Sequence, residues 1–314
     1  MTNSTISKLA TRDGYGKALL ELGRRNLNVV ALDADLSDST RSEYFGKEFP
    51  NRFFNMGIAE QNMIGTAAGL SVCGKIPYAS TFAIFSERAY EFIRNIVSRN
   101  KLNVKIAGSH AGIATGEDGK SAQAIEDIAA YRALPNMIVL EPCDSVEAEQ
   151  TVFELAKYKG PSYTRLNRNA APIIHDNNYK FEIGKGEILN GGNDTVIFAS
   201  GLLVHESLKA AEILKQNSIE LCVVNMGTIK PIDEKLIVEL AKKTKNIFTA
   251  EDHNIIGGLG SAICEVLSQN YPCLVHRIGL NDCYAESGKP DELYEKYGLS
   301  ARHIVERVKG VIIK

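Results

Sequence analysis

No G-x-x-x-x-G-K-[ST] phosphate loop occurs in this sequence, and no GDG is followed roughly 25 to 30 residues later by an asparagine. The chain therefore shows no diphosphate or metal cradle of its own. EDHNIIGGLGSAI places a glycine-rich turn before a helix, but GGLG does not match G-x-G-x-x-G and reads as structural packing. The six cysteines include no C-x-x-C pair, and no histidine cluster adjoins them. That argues against a structural zinc site. Cys222 and Cys264 lie in apolar runs, where a free thiol behaves as a small hydrophobe, and a reducing compartment fits best. The N-terminal MTNSTISKLATRDGYG lacks the apolar core of a secretory signal. No window approaches the ~18 consecutive apolar residues of a membrane span. The chain reads as cytoplasmic. With 36 basic and 38 acidic residues the net charge is -2, so neither a nucleic acid nor an anionic membrane is expected as partner.

What is present is ordinary globular material: 314 residues, 44% of them hydrophobic, enough for two cores. Helical stretches at Asp13–Leu27, Ala59–Val72, Phe82–Arg99, Ser121–Ala133 and Asp144–Tyr158 alternate with strands in NVVALDAD, IPYAST, LNVKIAGS, MIVLEP and PSYTRL. The alternation predicts an α/β fold, a mainly parallel sheet flanked by helices. Between Asn167 and Asn193 the texture turns to Asn, Gly and turn residues, which marks a linker. It restarts at DTVIFAS with a helix at Leu202–Gln216, the strand ELCVVNM and a helix from Asp233. NIFTAED, a helix through Leu267, LVHRIG and helices near Glu292 and from Ala301 complete a smaller second α/β domain. The division is 1–168, linker 169–193, and 194–314. There is no repeat at solenoid periods.

Four segments carry candidate chemistry. In FFNMGIAEQNMIGTAAGLSVCG, Gly57 permits a tight approach and Glu60 heads an apolar helix. Burial raises such a carboxylate's pKa and the helix N-terminus lowers it. Either it shares a proton in a low-dielectric site, or it is a helix-start glutamate satisfied by backbone N–H groups. In STFAIFSERAYEFIR, Phe82 and Phe85 share a helix face with Arg88 one turn on. They either stack on a flat heteroaromatic ligand or pack a core. GSHAGIATGEDGKSAQAIEDIA follows a strand, so His110 and Asp118 sit at a sheet's carboxyl end, where α/β folds place ligands; a polar surface turn is the alternative. Arg12, Ser39 and Arg165 lie at element ends and could converge with His110 on one anion, or be scattered surface charge.

Together, ATRDGYGKALLELG, DADLSDSTRSEYF, IAEQNM, STFAIFSERAYEFIR, SHAGIATGEDG and EDHNIIGGLGSA resemble, in order and over essentially the whole chain, the C-terminal section of transketolase. That section is a pyrimidine-binding domain plus a small C-terminal domain. The resemblance implies that Glu60 hydrogen-bonds the pyrimidine N1' of thiamine diphosphate and stabilises the imino tautomer that removes the thiazolium C2 proton. Phe82 and Phe85 would stack on the pyrimidine beside Arg88, with Asp35, Leu36 and Ile58 near the cofactor. Asp118 would meet a substrate hydroxyl, and Glu60, Asp118 and His110 would form the catalytic set. Arg12, Ser39, His110 and Arg165 would hold the phosphate of a sugar substrate. No metal ligand is implied in this chain: Mg²⁺ and the cofactor diphosphate would be held by an N-terminal partner subunit carrying GDG…N. The start at Met1 favours a split enzyme over a fragment, and the family suggests an α2β2 assembly. The activity implied is transfer of a two-carbon ketol unit from a ketose phosphate to an aldose phosphate, in the pentose phosphate pathway. One departure concerns Ala122. Many transketolases carry a His or Gln at that position; alanine cannot hydrogen-bond a substrate, and Gln123 is the neighbour that could compensate. Alternatives are a subunit like 1-deoxyxylulose-5-phosphate synthase or pyruvate dehydrogenase E1β, toward which GEDG does not lean, and a non-catalytic regulatory subunit.

Overall fold

A computed structural model describes residues 7–176 and 178–312. The chain forms two compact units, Met1–Ala111 with Leu134–Glu182, and Gly112–Ala133 with Ile183–Lys314.

In the first unit β1 (Lys8–Leu9) pairs antiparallel with β8 (Ala171–Pro172). The remaining strands are β2 (Val29–Asp33), β3 (Phe53–Asn55), β4 (Ile76–Phe82), β5 (Lys105–Ser109), β6 (Ile138–Leu140) and β7 (Ser162–Arg165). They run parallel in the order β6-β7-β5-β4-β2-β3. β2 and β5 are buried along their whole length, as the central strands of a parallel sheet are. β2 leads on to its neighbour β3, whereas β4 leads to β5 in the other direction. The sheet order thus reverses between β2 and β4, and such a crevice at the carboxyl ends of strands is where open α/β sheets bind ligands.

The helix Thr11–Arg25 places Tyr15, Ala18, Leu19 and Leu22 in a core with Val29, Ala31, Phe45, Tyr78, Ala148 and Val152. Its partner helix, Ser145–Lys157, begins with a reciprocal cap. Asp144 accepts from Glu147 N at 2.8 Å, and Glu147 reaches back to Cys143 N at 2.7 Å.

The Phe82–Arg99 region departs from the expected single helix. Phe82 ends β4 with extended dihedrals, φ -70° and ψ 149°. Ala83–Ser86, a 3-10 turn, one short α turn and the π-helical Ile93–Ser98 follow. The aromatic, β-branched run IPYASTF favours extension and carries it through Phe82.

The second unit contains β9 (Glu187–Asn190), β10 (Thr195–Ala199), β11 (Leu221–Asn225), the short β12 (Thr228–Lys230), β13 (Asn246–Asn254) and β14 (Val275–Leu280). Five of them form a sheet in the order β14-β13-β10-β11-β9, parallel except for β9. Helices Leu203–Lys215, Glu234–Lys243, Leu259–Asn270 and Ala301–Ile312 accompany it. The predicted helix at Ser121–Ala133 is shorter, Asp127–Ala133. Among the described residues no helix is long and apolar enough to cross a membrane.

Candidate functional site

The site is built at the carboxyl ends of β2, β3, β4 and β5. After β3, Gly57 turns the chain at φ +68°, and its N–H is held at 3.0 Å by the Asn55 side-chain oxygen. The same Asn55 amide donates to Asp35 at 3.0 Å. Glu60 then opens the helix Glu60–Val72 and is only 5% exposed. Arg88 Nη1 meets Glu60 Oε1 at 3.0 Å, although the Arg88 side chain is itself 52% exposed. Arg88 was expected to face a ligand beside the phenyl rings; here it also turns back onto the carboxylate. The guanidinium is half-exposed but the carboxylate is buried, so the pair parts without stranding the charge only when another donor takes the place of Arg88 on Glu60.

The aromatic groups continue this line. Phe82 and Phe85 have ring centroids 5.5 Å apart and planes within 7°. The Arg88 guanidinium lies 4.4 Å from the Phe85 centroid, and the other neighbour of Phe82 is the His110 ring at 3.8 Å. Glu60, Arg88, Phe85, Phe82 and His110 therefore form one connected series. A buried carboxylate beside parallel rings suits a planar heteroaromatic group with a hydrogen-bonding nitrogen.

His110 anchors a second feature. It adopts φ +59° immediately after β5. Ser109 Oγ lies 2.8 Å from its Nδ1, and Arg12 Nη1 lies 3.3 Å from its Nε2. A guanidinium only donates, so Nε2 accepts and the proton sits on Nδ1. Burial, then the positive charges of Arg12, Arg168 and Arg41, push His110 down to about 3. Arg12 also donates to the Ser39 carbonyl at 2.8 Å, and its own pKa is lowered by burial and by Arg41. Arg12 and Arg168 thus bear on a neutral His110 in a basin of net positive charge, while Arg41 is paired with Asp13 at 2.8 Å and Asp38 at 3.4 Å and Ser39 is engaged through its backbone. Such a basin suits the anionic end of a small ligand.

Arg165, expected among these cations, is not with them. It is fully buried and ion-paired with Glu141. Arg168, three residues on, is the cation that bears on His110 and Arg12. Arg165 ends β7 and Arg168 follows it in YTRLNRN, and no periodicity distinguishes the one turned inward from the one turned out. Reasoning from sequence also missed Asp33. This buried carboxyl accepts from Leu36 N, Thr40 and Ser42. It thereby shapes the loop carrying Asp35, Leu36 and Ser39, while burial pushes its pKa up to about 6. Asp35 is exposed at φ +63°, Leu36 is half-buried, and Ile58 is 77% exposed.

Asp118 belongs to the second unit, exposed on a loop bounded by Gly116 (φ +80°) and Gly119 (φ +76°). Asp252 fastens the start of that loop, accepting from Ile113 N at 2.9 Å, Ala114 N at 3.2 Å and the Tyr294 hydroxyl at 2.9 Å. The neighbouring Glu251 accepts from Leu259 N and Gly260 N at the head of a helix. This gives EDHNIIGGLG its structural duty. Gln123 does not make good the alanine at 122. Its amide is buried and donates to the carbonyls of Ile113, Gly116 and Glu286.

Residues 7–173 match the family model of the transketolase pyrimidine-binding domain, and residues 184–304 match that of the transketolase C-terminal domain. A Methanocaldococcus jannaschii protein whose name calls it a transketolase C-terminal section is 53% identical over 95% of this chain and 94% of its own. A Clostridium sp. (strain MSTE9) protein named 6-deoxy-6-sulfo-D-fructose transketolase subunit SqwH is 41% identical over 96% of this chain and 94% of its own. A solved structure described as a split-gene transketolase in an inactive β4 tetramer is similar at a TM-score of 0.89 and 49% identity, over 98% of this chain and 99% of that one. The chain spans about half the length, 50%, of the rat and human transketolases that it also matches.

Proposed function

Because the chain belongs to the transketolase family, we propose that it is the subunit of a split transketolase that holds the pyrimidine end of thiamine diphosphate through Glu60. The observation that carries this is the buried Glu60 carboxylate at a helix head, joined through Arg88 to the parallel Phe82 and Phe85 rings. These residues fit the group: one carboxylate for a ring nitrogen, and flat apolar surfaces for a ring. Thiamine diphosphate, when bound, supplies a nucleophilic carbon for a ketose carbonyl.

The chain's own residues would do the following. Glu60 holds a proton between its carboxylate and the pyrimidine nitrogen, in a site where burial strengthens that hydrogen bond. Phe82 and Phe85 orient the ring, and Asp35, Leu36 and Ile58 border it. Arg88 opens from Glu60 as the ring arrives. His110, neutral at physiological pH, offers Nε2 as a proton acceptor once Arg12 turns to the substrate. Arg12, Arg168 and the Ser39 loop hold the substrate's anionic end.

The reaction would be transfer of a two-carbon ketol unit from a ketose phosphate to an aldose phosphate, as in a cytoplasmic pentose phosphate pathway. The name of the Clostridium relative specifies a sulfosugar, and this basin's chemistry serves a sulfonate as well as a phosphate. The diphosphate and Mg²⁺ would be held by a partner chain carrying GDG…N, in an α2β2 assembly. Both matching family models are transketolase models, which supports ketol transfer over pyruvate decarboxylation or a regulatory role.

The test is Glu60→Ala, co-purified with the partner and assayed for ketol transfer from xylulose 5-phosphate to ribose 5-phosphate. Expected is a loss of about 10²- to 10⁴-fold, the range for a positioned proton-transfer group, with assembly unchanged. Near-normal turnover would overturn the reading.

A further inference from the structure

We propose that Cys143, Glu147 and His175 form a binding site for one divalent transition-metal ion, zinc foremost, distinct from any metal of the cofactor. One ligand atom from each lies within 4.8 Å of the others, and all three residues are buried. In a tetrahedral zinc shell with Zn–S about 2.3 Å and Zn–N about 2.0 Å, ligand atoms stand roughly 3.3 to 3.8 Å apart. Closing the set thus needs a movement of about an ångström.

The donor set points to zinc rather than to magnesium or calcium. Thiolate and imidazole favour softer ions, whereas Mg²⁺ and Ca²⁺ take oxygen ligands. The surroundings are those of a metal site as well. Asp144 Oδ2 holds His175 Nδ1 at 3.0 Å and also accepts from the backbone N–H groups of Ile174 and His175 at 2.7 and 2.8 Å. A carboxylate that orients an imidazole in this way is the usual outer partner of a metal-bound histidine. The Tyr179 hydroxyl donates to Glu147 Oε1 at 3.1 Å, and the Tyr179 ring lies 3.8 Å from the His175 ring. A water would complete the fourth position.

Metal entry would displace the Cys143 thiol proton to solvent and leave a thiolate on the ion. The ion would join the head of helix Ser145–Lys157 to the segment that follows β8. The alternative is that Asp144 and Glu147 are a helix cap alone, with His175 tied to it.

The experiment uses the full chain in a background with the exposed Cys73, Cys273 and Cys283 changed to Ser, so that any thiolate signal arises from Cys143, Cys222 or Cys264. Metal content is measured after purification without chelator. Cobalt(II) is then added to the chelator-stripped chain, and the near-ultraviolet thiolate-to-cobalt band is followed. Expected are one zinc per chain, a saturable cobalt band, and a lower melting temperature after stripping. Cys143→Ser should abolish the band, and His175→Gln should weaken metal retention about 10- to 100-fold. Should either variant fail to fold, the stripped and zinc-loaded parent chains still decide. No cobalt band and identical melting in both would leave a helix cap only and overturn the proposal. So would a band that survives Cys143→Ser.

Discussion

At the scale of single residues, Arg165 and Glu141 bury opposite charges side by side at the end of β7, both fully enclosed. Removing the guanidinium strands a carboxylate in the interior. Arg165→Ala is expected to lose about 3 to 5 kcal/mol of stability, read from urea unfolding. Arg168→Ala should leave the unfolding free energy within about 0.5 kcal/mol of the parent. It should instead raise KM for a phosphorylated sugar about tenfold or more, the loss of one charge-assisted contact. The reverse pattern would exchange their roles. His110 adds a pH dependence. Its imidazole ionises near 6.5 when unfolded and at about 3 in the fold. Between those values the unfolded chain binds the extra proton, so acidification through 6.5 toward 3 removes stability. The urea midpoint of the parent should accordingly fall relative to that of His110→Asn as pH falls from 7 to 4. Which residues could do chemistry was legible locally: Glu60, Phe82, Phe85 and His110 were all singled out by motif and position. Which arginine turns toward His110 was not, because it depends on side-chain direction after a strand and on the buried acid waiting at 141.

At the scale of elements, the helix Thr11–Arg25 crosses Ser145–Lys157 at a point where no side chain fits. A Cβ on Gly14 would stand 2.0 Å from the Ser145 carbonyl oxygen. Gly14→Ala gains helix propensity of about 1 kcal/mol, yet overpacking costs about 1 to 3 kcal/mol and forces the helices apart. A net fall in thermal midpoint is expected by calorimetry; a rise would mean that the crossing is looser than the structure has it. The strand–helix alternation was legible because buried parallel strands are continuous apolar runs and helices alternate faces. The break of the Phe82–Arg99 stretch was not. There the apolar spacing suits a helix, while the preceding β-branched run holds Phe82 in the sheet. The stacking of Phe82 on Phe85 thus comes from a strand end meeting a turn, not from one helix face.

At the scale of the whole molecule, the matched domains are the pyrimidine-binding and C-terminal domains, and neither phosphate-cradle pattern occurs in the sequence. The chain alone is therefore expected to show no thiamine diphosphate-dependent ketol transfer, whatever the cofactor concentration, and to gain it on mixing with the GDG-bearing partner. Activity in the isolated chain, measured after size-exclusion chromatography, would refute that dependence.

The sequence by itself determined the family, the two α/β domains and the carboxylate at the head of an apolar helix. Those rest on ordered local motifs and on periodicities that report burial and backbone preference. The tertiary structure alone decided that Arg88 closes on Glu60, that Arg12 and Arg168 rather than Arg165 gather at His110, and that Cys143, Glu147 and His175 meet. Each of these joins residues from separate elements. Sheet order and side-chain direction, not spacing along the chain, set the distances between them.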